Sequence, residues 1–368
     1  MRWAWAALLA GAVGCGGKLL YLPLAGGEAE WSQRGGGPTG QGRSLRAPDP
    51  PLRLLWQQSL RAAPVGGPLV EGGLILQLSA GPSLLAFDRQ VGRPVGRRGL
   101  SAPPSAAPVL AGSLLVGGEA GPKPALRAYE RREHRVVWIY PGLALAPLAG
   151  RGDTVVAAMN AGEVVALAAA TGQRLWRARM EGPLWTGPVL AGDATYTEDG
   201  KGGLTALDLG SGSRRWTLDL GGPLRGLAAD DSLIYVATAA GSVLACKGTT
   251  GAVVWRRELG VLPAPGLALA GGVLVLGAAD RSVRGLDLAD GALRWQFTAQ
   301  GVIGSPPVAS GGAVYAAGSE GYLYALDPES GRLQWKYQLD GPALQPLALG
   351  EGVVGAVTEE RTLYVFGR

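Results

Sequence analysis

The residues able to do chemistry are few and scattered. His134 is the only histidine in 368 residues, so neither a Ser-His-Asp triad nor a histidine-based metal cluster can be assembled. Asp88, Asp208, Asp287 and Asp327 recur at one position of a repeat, which marks them as turn residues rather than a catalytic set. Asp230-Asp231 and Glu359-Glu360 read as solvated turn charges. Trp185 stands outside the periodic tryptophans, in an approach loop, where an indole either stacks a planar ligand or packs. The residues therefore predict no catalytic group, no metal and no cofactor. One charge pattern remains. Arg89, Arg93, Arg97 and Arg98 fall in phase with Arg131, Arg132 and Arg135, so adjacent repeats would stack them along one rim. Arg89, Arg93, Arg131 and Arg135 are the candidate basic rim, suited to anionic headgroups or an acidic protein surface. The plainer reading is a solvated face interleaved with Glu130 and Glu133. A net charge of +5 is small for this length and argues against nucleic acid.

The element that positions these residues is a repeat of about forty residues, clearest in Tyr324 to Trp335, YALDPESGRLQW. Ala325, Asp327, Gly331 and Trp335 have counterparts at each step back: Gly285, Asp287, Gly291 and Trp295, then Ala206, Asp208, Gly212 and Trp216. The copy ending at Trp138 has His134 in the glycine slot, and the one before it has Gly96 where tryptophan is expected. Trp56, Trp138, Trp176, Trp216, Trp255, Trp295 and Trp335 are the expected blade-docking residues, each wedging between neighbouring units and bonding backbone there. Independently, a Pro or Gly before small or aliphatic residues recurs at Pro68, Pro108, Pro147, Pro188, Gly226, Gly266, Pro307 and Pro346. These mark eight first strands.

Between these landmarks lie short apolar runs separated by Gly and Asp turns, as in an all-β closed array. Apolar content of 47% is ample for a core, and the 61 glycines and 26 prolines read as turns in a periodic chain. The spacing predicts an eight-bladed β-propeller of four-stranded antiparallel blades. The last unit lacks its fourth strand, and Leu52 to Trp56 would supply it, closing the ring.

Three regions follow: a signal peptide at 1–14, a Gly/Pro-rich tether at 15–51, and the propeller at 52–368. Cys15 ends the apolar run Trp3 to Val13 after Ala12-Val13-Gly14, and this end resembles a bacterial lipobox, which implies lipidation of Cys15. The plainer alternative is a secretory signal with a chance cysteine. Gly16 stands where an Asp would retain a lipoprotein at the inner membrane, so the resemblance implies the outer membrane, periplasmic face. Cys246 is then left without a disulfide partner.

The Ala-x-Asp-x-x-x-Gly-x-x-x-Trp repeat resembles that of quinoprotein (PQQ) dehydrogenase propellers. Trp31-Ser32-Gln33-Arg34-Gly35 resembles the lead-in that precedes such propellers. With Cys15, the chain is most similar to the outer-membrane-protein assembly factor B (BamB-like) lipoproteins. That resemblance implies a noncatalytic scaffold, a monomer within a larger complex, binding protein partners that include the barrel-inserting subunit. It also implies a partner contact at Leu224-Arg225, within the interblade Leu224-Arg225-Gly226; the acidic pair accompanying that element has no counterpart between Leu259 and Gly266. Alternatives are another cell-envelope binding propeller, or a PQQ-dependent dehydrogenase. The latter class needs calcium, which takes about 6–8 oxygen ligands, a catalytic Asp and, in its alcohol dehydrogenases, a pair of adjacent cysteines. The first strands here and their approaches are poor in Asp, Glu and Asn, and no such pair exists.

Overall fold

A computed structural model describes residues 30–131 and 135–368. Cys15, the signal region, Arg132 and His134 lie outside the described residues. Eight four-stranded antiparallel sheets contain every named strand, and the described residues include no α-helix. Blades 1 to 7 span 69–99, 109–141, 149–179, 189–219, 224–258, 268–298 and 308–338. Blade 8 comprises Ala348–Gly350, Val353–Val357 and Thr362–Gly367, with Arg53–Ser59 paired antiparallel to the last of these. The ring closes by joining the two ends of the propeller, as the spacing predicts.

Burial follows each strand's place in its blade. Leu74–Ser79 and Val353–Val357, second strands, are buried at every residue because neighbouring blades cover both faces. The outer strand Arg174–Arg179 buries only Trp176 and leaves Arg174, Leu175, Arg177 and Arg179 exposed. Near-continuous apolar runs inside and charged alternation outside are what two-sided and one-sided burial demand.

Each letter of the repeat now has a cause. The tryptophan sits opposite the alanine of the preceding strand, Trp176 against Ala166 and Trp216 against Ala206, with a bulge directly after that pair that re-aims the indole. A small partner is required: at Gly285 a Cβ would lie 2.2 Å from the Trp295 ring. The aspartate carboxylate accepts turn N–H groups, Asp208 from Gly210 and Ser211, an Asx turn. The turn glycine has positive φ, +72° at Gly212, and the indole of the preceding blade lies on it, 2.6 Å from where a Cβ would stand. Trp56, Trp138, Trp176, Trp216, Trp255 and Trp295 each donate Nε1–H to a backbone carbonyl of the next blade at 2.7–2.9 Å. Trp335 has no such turn ahead of it, because the third and fourth strands of blade 8, Thr362–Gly367 and Arg53–Ser59, are not joined by a hairpin; it packs edge-on against Phe366, centroids 5.6 Å apart.

Residues 31–49 are not a tether, and the expectation of one from composition is corrected here. Trp31 is 1% exposed and exchanges backbone hydrogen bonds with Val70 of blade 1. The carbonyl of Ser32 accepts from Leu110, the Gln33 side chain from Gly150, and the carbonyls of Pro38, Thr39, Gln41 and Gly42 from Leu190, Ala229, Leu269 and Ala309. These partners occupy the same position in the inner strands of blades 1 to 7, and Arg46 completes the circuit by accepting from Gly352 of blade 8. The segment is a plug across the central channel, bonded to all eight blades in order. Its glycines permit close approach rather than freedom: at Gly42, φ +59°, a Cβ would meet the Leu267 and Pro307 carbonyls at 3.0 and 3.1 Å.

Candidate functional site in the channel hub

The plug divides the channel. On the side of the approach loops it floors a cavity of about 280 Å³. The walls carry Pro147, Pro188, Gly226, Gly266 and Pro307, the residues that open the inner strands. Small side chains at these places leave the hub open. On the other side lie the inner-strand turns and the turns that receive the tryptophans.

Two guanidinium groups enter the cavity. Arg34 comes from the plug and donates Nη2–H to Pro265 O at 3.3 Å. It is half-buried and lines the cavity. Arg225 comes from blade 5, at a bulge between Leu224 and Gly226, and donates Nε–H to Pro263 O at 3.3 Å. Burial, and then the like charge of Arg225, hold the Arg34 guanidinium below its ordinary pKa. No carboxylate lines the cavity. Trp185 stands at the rim, 61% exposed, and its backbone N–H donates to the buried Glu198 carboxylate, which also accepts from Thr186 N at 2.6 Å. Burial raises the pKa of Glu198 against the pull of those two bonds.

The other sequence-derived candidates separate. Leu224 is 5% exposed and packs in the apolar cluster between blades 4 and 5 with Val189, Tyr196 and Leu204. It has almost no surface to offer a partner, which corrects that expectation. Gly226 is small because Leu267 lies 2.9 Å from the place of its Cβ; of the three residues only Arg225 brings a charged side chain to the cavity. The four-arginine rim is also corrected. Arg131 is 4% exposed and paired with Glu71 of blade 1, with Nε donating to Ser113 O at 3.1 Å. Arg89 pairs with Glu30 at 3.0 Å. Arg93 and Arg135 are exposed in the blade 1 and blade 2 turns on the plug side. Cys246 is buried and free, its thiol pushed up to about 12 by desolvation, so it is packing rather than a nucleophile. Sequence reasoning missed Arg34 as a hub residue. Its signal was the Trp31-to-Gly35 lead-in, whose tryptophan anchors the plug and places the arginine.

A family model described as outer membrane protein assembly factor BamB matches residues 41–158, 123–225, 219–304 and 282–367. A curated protein of the same description from Alkalilimnicola ehrlichii is 30% identical over 137 residues. That match spans 34% of this chain and 36% of the relative. Among solved structures, BamB from Moraxella catarrhalis superposes with a TM-score of 0.73 at 18% identity, covering 86% of this chain and 98% of that one. A europium-containing methanol dehydrogenase gives 0.77 at 12% identity, over 94% and 99%. Both show the fold alone. The hub does not suit the cation of such an enzyme. Hard cations take oxygen donors, whereas this lining presents two guanidinium groups, and no cluster of three or more His, Cys, Asp or Glu exists among the described residues. Because the family match runs through every blade from the plug to the closing strand, the chain belongs to the BamB family of outer membrane protein assembly factors.

Proposed function

We propose that this protein is a noncatalytic scaffold of the cell envelope that holds protein partners during β-barrel outer-membrane protein assembly, anchored at the periplasmic face of the outer membrane through Cys15. Family membership across the propeller carries the reading. The plug supports its orientation. Glu30 is tied to Arg89 and Trp31 to Val70, so the chain enters on the plug side of the ring. From Cys15 to Glu30 an extended chain reaches roughly 50 Å. A lipid at Cys15 therefore turns the plug face, with exposed Arg93 and Arg135, toward the bilayer, where basic residues meet anionic headgroups. The opposite face, with the approach loops, is left for partners.

Four measurements test this reading. Affinity capture from envelope extracts should recover the barrel-inserting subunit, and Cys15→Ala should move the protein from the membrane to the soluble fraction. Capture that repeatedly lacks that subunit, together with a quinone absorbance change on adding PQQ and calcium, would replace the scaffold with an enzyme. Arg93→Glu with Arg135→Glu should weaken binding to anionic vesicles without changing capture.

A further inference from the structure

Arg34 and Arg225 come from segments 191 residues apart in sequence, yet both enter one cavity and both bond one loop, at Pro263 and Pro265. Among the described residues, the only hydrogen-bond partners of the two guanidinium groups are those backbone carbonyls. Three other inward arginines of this protein meet carboxylates: Arg131 has Glu71, Arg127 has Glu119, and Arg284 has Asp280. Burying a cation is costly unless it is paired, and two like charges in one cavity add to that cost. A guanidinium offers five donors in a planar fork, so one carbonyl each leaves most of that capacity facing the cavity. A water-filled hub would serve a single arginine. Two, delivered independently by the plug and by a bulge of blade 5, match the chemistry of an oxyanion.

We propose that the hub binds a small oxyanion, a carboxylate or phosphate, between the guanidinium groups of Arg34 and Arg225. Size limits the ligand. The cavity of about 280 Å³ falls just below the range of drug-sized pockets, about 300–1,000 Å³, and holds roughly nine waters. Inorganic phosphate, citrate or benzoate fits that volume. Trp185 at the rim would stack on a planar carboxylate and add nothing for phosphate.

Isothermal titration of the full chain with inorganic phosphate, citrate and benzoate, with chloride as control, tests the site and separates the two sources of charge. Saturable binding of phosphate or of a carboxylate is expected. Arg225→Gln and Arg34→Gln should each weaken it by about ten- to a hundredfold, as expected for losing a charged hydrogen bond, and Arg225→Lys should weaken it less. Trp185→Ala should affect benzoate alone. Melting of each variant without anion checks the fold; should Arg34→Gln fail to fold, the Arg225 pair still decides. Heats no larger than those of chloride at millimolar concentration would overturn the site, as would equal affinity in Arg225→Gln. The outcome is independent of partner capture, so the scaffold reading and the anion site can fail separately.

Discussion

Two joints of the ring are built from opposite materials. Between blades 4 and 5, Trp216 lies on Gly251, donates to Gly248 O at 2.9 Å and packs against Tyr196 at 5.8 Å between centroids. Between blades 1 and 2 the tryptophan position is Gly96, opposite Ala86. There Arg98, 6% exposed, places its guanidinium 4.9 Å from the Tyr129 ring centre, Tyr129 bonds Glu119, and Arg131 reaches Glu71. An apolar wedge has become a charged network. The repeat changed with it: blade 2 carries His134 in the slot where other blades hold the glycine that receives an indole. Elsewhere a Cβ at that glycine would stand 2.4–2.7 Å from the ring. The sequence thus lacks the glycine where the preceding blade lacks the indole, and elsewhere the turn glycine is dictated by the neighbouring blade as much as by its own backbone.

The largest expected effect falls on the indole joint. Trp216→Ala should cost about 3–5 kcal/mol, a drop in Tm of roughly 5–10 °C for a chain of this size, whereas Gly96→Ala should stay within about 0.5 kcal/mol. Calorimetry checks both, and equal losses would end the distinction between the joints. A double-mutant cycle sharpens it. Gly251→Ala places a methyl 2.7 Å from the Trp216 ring at φ +72°, so it should be severe in the native background and milder beside Trp216→Ala. Strict additivity would mean that the glycine serves its own turn alone.

The charged joint should answer differently. Breaking a buried pair leaves an uncompensated charge, whereas replacing both partners by apolar residues is often neutral. Arg131→Met alone should cost about 3 kcal/mol, near the lower end because the Glu71 side chain keeps 9% exposure. Adding Glu71→Leu should restore most of the loss in thermal unfolding. A double variant no better than the single one would show that Arg131 acts through its carbonyl contacts at Gly112 and Ser113 instead.

What was legible in the sequence follows the same division. Strand positions, blade number and ring closure were readable because each blade imposes the same side-chain demands: Ala under Trp, Asp in the turn, Gly beneath the next indole. The plug was not readable, because its bonds to the blades are mostly between main-chain atoms, made by residues as different as Ser32, Pro38, Thr39 and Gly42, and main-chain bonds leave no side-chain signature. A Gly/Pro-rich stretch composed for close approach looks like one composed for flexibility. Arg131 was misplaced for a related reason: its phase with Arg89 was right, but periodicity says which residues align and not which of them a neighbouring Glu71 draws inward. Leu224 illustrates the limit of a borrowed motif. Its place in the repeat is that of a core residue, and the burial seen follows from that place.

The smallest effect separates the indole joints by pH. Asp208 belongs to the turn whose Leu209 carbonyl receives the Trp176 indole. The Arg215 guanidinium, bonded at 2.6 Å, and the Ser211 hydroxyl hold its carboxyl at about 2, against an ordinary 3.8. A depressed carboxylate pKa contributes stability that is complete above the unfolded value and disappears as pH falls through the folded one. The contribution of Asp208 should therefore be full above about pH 4 and gone near pH 2. In Asp208→Asn the thermal midpoint should lie slightly below that of the native protein at neutral pH, and the two acid limbs should converge across that window. The gap should be small and should shrink in high salt, because the pair is solvent-exposed. Acid limbs that stay parallel down to pH 2 would show that Asp208 acts through its turn geometry, which asparagine preserves, and not through its charge.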